Sequence, residues 1–170
     1  MDIKNISLIG FMGSGKSTIG NMLSKELKML FIDIDRIIEL SENKKIKDIF
    51  KNEGEKYFRN LESEVIKKIY SNKNCIFACG GGVVERVENM NIIKASGTVV
   101  YLYISAHEAY ERLKFTKDRP LLEGKDRKEI IEGLIKKRDV LYNKYADLKV
   151  NAKDKESKMV IKNIMVKLGI

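Results

Sequence analysis

Short β-rich runs alternate with segments of helical periodicity along the chain, and this alternation restricts the fold more than any other feature. The β-rich runs are residues 5–10, 30–35, 75–80, 98–105 and 147–152. Apolar residues follow helical spacing in residues 16–27, 36–41, 46–71, 85–94, 106–115, 126–143 and 155–168. Parallel strands require long crossover connections, which helices of this length provide. The sequence therefore predicts an α/β three-layer sandwich with a five-stranded parallel sheet.

Length and composition narrow the class of protein. The 170 residues fit a single domain, 1–170, because no linker, repeat or low-complexity tract divides them. No apolar stretch approaches the ~20 residues of a membrane span, and the N-terminus "MDIKNISLIG" lacks the features of a secretion signal. Cys75 and Cys79 lie ~13 Å apart if their run is a strand, too far for a disulfide. We expect a cytoplasmic protein without membrane contact.

The net charge of +9 allows two kinds of partner. Nucleic acid would explain it, and so would a small phosphorylated or carboxylated ligand. Lysines are scattered through nearly every helical segment and are not massed in one stripe. This pattern indicates a solvated surface more than a binding stripe, so nucleic acid is the less favoured partner.

A phosphate-binding motif joins the first β-rich run to the first helical segment. The stretch "GFMGSGKST" matches G-x-x-x-x-G-K-[ST] with Gly10, Gly15, Lys16 and Ser17. Glycines let successive backbone N–H groups point at phosphate oxygens, and the N-terminus of the following helix attracts the same anion. Lys16 can reach the β- and γ-phosphates, and the Ser17 hydroxyl can coordinate Mg²⁺. The sequence therefore predicts an ATP-binding P-loop.

Two aspartates lie at the end of the second β-rich run, in "FIDIDR". On a strand, Asp33 and Asp35 would share one face, ~6.6 Å apart. One could orient a metal ion and the other could accept a proton from an alcohol that attacks the γ-phosphate. Alternatively, the two acids cap the next helix.

Three further segments have both a functional and a structural interpretation. Arg59 is spaced to contact a ligand or only to pair with Glu55 and Glu62 on its own helix face. The glycines 80–82 follow a strand where open α/β sheets bind ligands, but they also suit a tight turn. The basic stretch 112–127, interrupted by Pro120, suits a mobile flap over phosphates or an exposed loop.

In this order, six segments resemble the shikimate kinase family over essentially the whole chain. They are "GFMGSGKSTIG", "FIDID", "IFKNEGEKYFRNLE", "CGGGVV", "RPLL" and "RDVLYNKYA". The resemblance implies a P-loop kinase fold with strand order 2-3-1-4-5, a substrate-binding cap at about 36–62 and a lid at about 112–124. It also implies Mg²⁺-dependent transfer of the γ-phosphate of ATP to the 3-hydroxyl of shikimate, in chorismate and aromatic amino acid biosynthesis. From the resemblance we also expect a monomer that binds no nucleic acid.

The resemblance assigns roles to individual residues. The ATP phosphates would be held by Gly13, Ser14, Gly15, Lys16, Ser17 and Thr18, with Arg112 near the adenine and Arg119 reaching the transferred phosphate from the lid. Ser17 and Asp33 would serve Mg²⁺, and Asp35 would bind substrate hydroxyls and act as the base. The substrate carboxylate and ring would contact Arg59, Arg138, Gly80, Gly81 and Gly82. Lys16, Asp35 and Arg119 would be the catalytic residues.

Two segments depart from the family pattern. The stretch "ENKKIKDIF" lacks the glycine and small hydroxyl residue common there, and Val140 replaces a proline in "RDVLY". A related kinase for another small polyol or acid, such as gluconate, is the nearest alternative function. A P-loop ATPase stimulated by nucleic acid is the alternative from another class. Such enzymes use an acidic residue at the end of an apolar strand, but neither the strand at 75–80 nor the strand at 98–105 ends in an acid.

Overall fold

Five strands form one parallel sheet in the computed structural model, which describes residues 4–116, 118–123, 126–153 and 157–170. The strands are β1 (Asn5–Ile9), β2 (Leu30–Asp33), β3 (Cys75–Ala78), β4 (Gly97–Tyr103) and β5 (Leu148–Asn151). Their order in the sheet is β2-β3-β1-β4-β5, and every neighbouring pair is parallel. The fold class and strand order that we predicted are confirmed.

Seven helices connect and cover the strands within the described residues. They are α1 (Lys16–Leu27), α2 (Ile34–Glu42), α3 (Ile46–Ile69), α4 (Val87–Ser96), α5 (Ala106–Leu113), α6 (Arg127–Tyr145) and α7 (Ser157–Leu168). Short 3₁₀ turns span Val83–Glu85 and Pro120–Leu122. Helix boundaries lie within two residues of the predicted ones wherever the neighbouring residues are described. None of the helices in these ranges is long and apolar enough to cross a bilayer.

Polar side chains fix several of these helix starts. Ser105 and Glu108 form a reciprocal capping box at the start of α5. Asp33 accepts a hydrogen bond from the Arg36 amide at α2, and Asp126 does the same for Glu129 at α6. Such caps satisfy helix N–H groups that have no intrahelical acceptor. Local sequence therefore sets where these helices begin.

Helix α3 is kinked where the sequence predicts one continuous helix. Gly54 has φ 84° and ψ 170°, a conformation that glycine adopts at little cost. The kink separates the first two turns of α3 from the long second arm, which carries Arg59 and Glu62. This second arm packs its buried face, including Phe58 and Ile66, into the core.

The buried centre of the sheet positions the functional loops. Every residue of β1 and of β3 is buried, and neighbouring strands in a parallel sheet end at the same edge. At that edge, β1 leads into the P-loop, β2 into α2, and β3 into the glycines 80–82. Ligands of open α/β sheets bind at this edge, where the chain crosses to opposite faces.

Candidate active site

The P-loop lies between β1 and α1, the context that the sequence predicts. Gly13 and Gly15 have φ 79° and 87°, in the left-handed region that favours glycine, and α1 begins at Lys16. The Lys16 Nζ donates hydrogen bonds to the carbonyl oxygens of Gly10 at 2.9 Å and Phe11 at 3.0 Å. Burial lowers the pKa of Lys16 to about 8, although Asp35 opposes the shift. A phosphate anion beside Lys16 would favour its charged form.

Ser17 and Asp33 form a polar pair beside the P-loop. The Ser17 hydroxyl donates a 2.6 Å hydrogen bond to Asp33 Oδ2, while Asp33 Oδ1 caps α2. Both interpretations of Asp33 are therefore compatible, because its two oxygens face different partners. The strand interpretation of Asp35 is wrong: β2 ends at Asp33, and Asp35 lies in the first turn of α2. The helix begins earlier than predicted because Asp33 caps it.

One open cavity of about 570 Å³ joins the P-loop edge to the second arm of α3 and to α6. Of the predicted site residues, it is lined by Ser17, Asp33, Asp35, Arg59, Gly82, Arg119 and Arg138. Residues that sequence reasoning did not assign also line it, among them Met12, Lys47, Phe50 and Phe58. The cavity thus combines carboxylates, guanidinium groups and an apolar wall.

Asp35 lines this cavity, and its carboxylate is partly buried. Its Oδ1 is buried and has no hydrogen-bond partner among the described residues. Burial raises the pKa of Asp35, and the Asp33 charge adds to the shift, while Lys16 and Arg119 oppose it. A carboxylate of this kind can accept a hydrogen bond, or a proton, from a ligand hydroxyl.

Arg59 makes the ion pairs of one interpretation, and its position in the cavity wall is compatible with the other. It pairs with Glu55 at 3.1 Å and with Glu62 at 3.1 Å, as the helical spacing suggested. Its side chain is only 9% exposed, and it lines the cavity. The two carboxylates therefore hold the guanidinium in one orientation at the cavity wall.

Arg138 is a buried cation with free donors. Its side chain is 2% exposed, and Nη2 donates to Glu85 Oε2 at 3.2 Å. Its Nε and Nη1 have no partner among the described residues, although they are buried. Glu85 also pairs with Lys137 at 2.6 Å. Burial opposes ionisation of Glu85, but Lys137 and Arg138 outweigh burial and lower the Glu85 pKa, so it stays a counter-charge.

The glycines 80–82 form a tight turn against two charged side chains. Gly82 has φ −96° and ψ 1°, and the Val83 amide donates to the Gly80 carbonyl at 3.1 Å, as in a type I turn. A Cβ on Gly80 would collide with Glu62 Oε1, and one on Gly82 would collide with the Arg59 guanidinium. Glycine is required here because of close approach and not because of backbone conformation.

Four of the other predicted residues line a second, smaller pocket, whereas Gly13, Lys16, Gly80 and Gly81 line neither pocket. Ser14, Gly15, Thr18 and Arg112 line the smaller pocket together with Ala152. Arg112 donates to the carbonyl oxygens of Gly13 at 2.9 Å and Ala152 at 2.8 Å, so it joins the P-loop to the end of β5. The pocket adjoins the P-loop at Ser14 and Gly15 and the start of α1 at Thr18.

The lid segment is only partly described. Arg119 is exposed and lines the main cavity, while Leu122 is fully buried in the core. Gly124, which we would interpret as a hinge, lies outside the described residues. Lys47, from the cap, approaches Asp118 of the lid at 3.4 Å.

Sequence reasoning missed the roles of Glu62, Glu85 and Tyr142. Glu62 is fully buried, and its Oε1 has no partner in the described part of the chain. Burial raises the pKa of Glu62 to about 7, while Arg59 opposes and Asp35 adds to the shift. The only sequence signal was the spacing of Glu62 from Arg59. Nothing in the sequence indicates that Glu85 faces Arg138.

Comparison with known proteins agrees with this geometry. The family model described as "Shikimate kinase" matches residues 12–169. A shikimate kinase from Sulfurihydrogenibium sp. is 43% identical over 98% of both chains, and one from Persephonella marina is 44% identical over 96% of this chain and 98% of its own. A solved shikimate kinase from Acinetobacter baumannii, in complex with shikimate, superposes with a TM-score of 0.94 at 33% identity, covering 98% of this chain and 94% of its own. On these grounds the chain belongs to the shikimate kinase family.

Proposed function

We propose that the protein transfers the γ-phosphate of ATP to the 3-hydroxyl of shikimate and releases shikimate 3-phosphate and ADP. The observation that carries the proposal is the main cavity, where two buried guanidinium groups and Asp35 lie beside a P-loop. Shikimate carries a carboxylate and several hydroxyls, so it needs cationic groups at one end and hydrogen-bond acceptors at the other. This role lies in chorismate and aromatic amino acid biosynthesis.

In this proposal the two arginines hold the carboxylate. Arg59 is kept in place by its carboxylate partners, and Nε and Nη1 of Arg138 have no partner in the described part of the chain. A planar guanidinium makes paired hydrogen bonds to a carboxylate, which fixes both distance and orientation. The glycines 80–82 bring backbone close to the bound ring. With the carboxylate fixed, the hydroxyl end of the ring faces Asp35.

The catalytic groups are Lys16, Asp35 and Arg119. Asp35 accepts the proton of the attacking hydroxyl, and its place in the cavity lining together with Ser17 and Asp33 supports that role. Lys16 binds the β- and γ-phosphates, while residues Gly13–Thr18 supply backbone N–H groups and hydroxyls around them. Arg119 stabilises the negative charge that develops on the transferred group. Arg112 lies at the pocket that would receive the adenine.

Ser17 and Asp33 would hold Mg²⁺. The pair fits this ion, because Mg²⁺ in kinases takes one or two protein oxygens and completes its shell with waters and phosphates. Their 2.6 Å contact brings a hydroxyl and a carboxylate oxygen to one point beside the P-loop. When bound, the ion supplies positive charge to the phosphate oxygens.

We further propose that the chain acts as a cytoplasmic monomer with two mobile parts, the cap at about 36–62 and the lid at about 112–124. The contact between Lys47 and Asp118 supports a role for both parts in enclosing the cavity. Size-exclusion chromatography with light scattering would test the monomer: a stable dimer at micromolar concentration contradicts it.

A coupled assay of ADP release tests the proposed reaction. Wild-type protein is given ATP and Mg²⁺ with shikimate, gluconate, nucleoside monophosphates or nucleic acid in separate reactions. We expect ADP release only with shikimate, and none when EDTA removes Mg²⁺. Equal turnover with gluconate would favour the related kinase, and stimulation by nucleic acid would favour the ATPase. No turnover with shikimate would remove the proposal.

A further inference from the structure

Tyr142 connects helix α6 to the glycine turn. Its hydroxyl donates a hydrogen bond to the carbonyl oxygen of Gly81. Tyr142 lies one turn after Arg138 on α6 and is 1% exposed. Its ring packs against Tyr101, with the ring centroids 4.9 Å apart. One helix therefore carries both a buried guanidinium of the cavity and the hydroxyl that holds the turn.

This hydrogen bond fixes the orientation of one peptide group. In a trans peptide the N–H points opposite to the C=O, and none of the described peptides is cis. Because the Gly81 carbonyl points at Tyr142, the Gly82 N–H points away from it. This N–H has no acceptor within the described residues. A free N–H is therefore held in one direction beside the cavity that Gly82 lines.

The Gly82 backbone adjoins the proposed carboxylate site. A Cβ on Gly82 would lie 2.5 Å from Arg59 Cζ and 2.7 Å from Nη1, so the backbone is nearly in contact with that guanidinium. Arg138 lines the same wall. An N–H and two guanidinium groups around one point suit an anion with two oxygens.

We propose that Tyr142 is a positioning residue for the anionic end of the substrate: by holding the Gly81 carbonyl, it aims the Gly82 N–H at the carboxylate that Arg59 and Arg138 bind. The inference rests on the proposed function. Without the hydroxyl, the turn keeps its Gly80–Val83 hydrogen bond, but the Gly81–Gly82 peptide is free to rotate. Loss of the hydroxyl therefore weakens binding of the substrate carboxylate and leaves binding of the ATP phosphates unchanged.

The variant Tyr142→Phe tests this, because it removes the hydroxyl and keeps the ring against Tyr101. We expect the KM for shikimate to rise roughly three- to tenfold, the range for one hydrogen bond. The KM for ATP and kcat should stay within about twofold, because the proposed function places the turn at the substrate carboxylate and not at the phosphates.

A matched control is Tyr101→Phe. It removes a hydroxyl from the same aromatic cluster, one that donates to Asp139 Oδ1 at 2.7 Å and has no contact with the turn. We expect its KM for shikimate to equal that of the wild type. An equal rise in both variants would mean that the hydroxyls only stabilise the cluster, and the inference would fall.

A neutral ligand distinguishes a specific effect of Tyr142 on carboxylate binding from a general loss of order in the site. Binding of shikimate and of its primary amide is measured by calorimetry for wild type and Tyr142→Phe. The variant should weaken shikimate binding more than amide binding, and equal weakening overturns the inference. If wild type binds shikimate and the variant binds it equally tightly, only this inference fails. If wild type does not bind shikimate, the proposed function fails with it.

Discussion

Arg59 illustrates how one residue can join a structural ion-pair cluster to the wall of a cavity. The carboxylates of Glu55 and Glu62 hold its guanidinium at the cavity wall, and Glu62 is completely buried. A buried charge needs partners, so these contacts offset the desolvation of Arg59. They also orient the planar guanidinium of Arg59 in the absence of a ligand. This orientation lowers the conformational entropy that would be lost on binding.

At this position, Arg59→Lys should raise the KM for shikimate at least tenfold and change the KM for ATP little. Lysine keeps the charge but loses the planar fork that matches a carboxylate. The control is Arg86→Lys, since Arg86 binds Ser63 and Asn60 outside the cavity. If calorimetry shows unchanged affinity for shikimate, Arg59 serves only in the ion pairs with Glu55 and Glu62.

Asp35 has no hydrogen-bond partner on Oδ1, so a conservative change isolates its chemistry. Asp35→Asn should lower kcat by roughly 10² or more and leave ATP binding intact, because asparagine cannot accept a proton. Single-turnover kinetics and nucleotide titration measure the two effects separately. A near-normal kcat would show that the hydroxyl loses its proton without Asp35.

Glu62 makes stability depend on pH. Its pKa rises from the usual 4.5 to about 7 in the folded protein, chiefly through burial. Between these values the folded state holds more protons than the unfolded state, so the free energy of unfolding falls as pH rises from about 4.5 to about 7. Glu62→Gln stays neutral and should flatten this fall by up to about 3 kcal/mol.

Urea unfolding at pH 5 and pH 8 measures the difference. The control Glu55→Gln removes the other, half-exposed partner of Arg59 and should keep the wild-type slope. Parallel pH profiles for wild type and Glu62→Gln would contradict the prediction.

At the scale of elements, hydrogen bonds and core packing hold parts of the lid in place. Arg127, the first residue of α6, donates to the carbonyl oxygens of Leu113, Lys114 and Thr116 at 2.8–3.1 Å. Leu122 is buried, so the 3₁₀ turn at Pro120–Leu122 is docked in the core. Leu121 is half-buried and lines the cavity, whereas Leu122 belongs to the core.

Arg119→Ala should lower kcat sharply and leave the Kd for shikimate within about twofold. The guanidinium stabilises charge that develops only during transfer, when the site excludes water. Arg36→Ala, an exposed arginine that also lines the cavity, is the control. Wild-type turnover in the Arg119 variant would remove its catalytic role.

Hydrogen exchange tests the movement of the lid itself. We expect residues about 112–124 to exchange faster without ligands and to be protected when nucleotide and shikimate are both bound. The same rate in both states would make this segment an ordinary exposed loop.

At the scale of the whole molecule, substitutions at two glycines distinguish the cost of a steric overlap from a gain in helix propensity. Gly97 pairs with Asn5 across β4 and β1, and a Cβ there would overlap the Asn5 backbone oxygen. Gly133 lies exposed on α6 with nothing within 4 Å of its Cβ position. Gly97→Ala should therefore destabilise the fold by about 3 kcal/mol or more, whereas Gly133→Ala should stabilise it by roughly 0.5–1 kcal/mol. Chemical unfolding of both variants measures the contrast, and equal effects would contradict it.

The elements and the P-loop were predictable from the sequence alone, because local patterns determine them. Alternating β-rich and helical segments predict every strand and helix, and "GFMGSGKST" needs only its own strand and helix to bind phosphate. Resemblance to a family, and not local pattern, supplied the strand order and the roles of Arg59 and Arg138. The strand assignment of Asp35 failed because one capping side chain, Asp33, starts the helix early.

Tertiary structure alone decided how the cavity is built. Arg59 on α3 and Arg138 on α6 line one cavity because of how the two helices pack, and no local pattern encodes that arrangement. The counter-charge Glu85 and the hydroxyl of Tyr142 likewise find their partners 53 and 61 residues away in the chain. A sequence states which groups are available and which local structure they favour; only the packing of distant elements determines which buried charges and donors face each other.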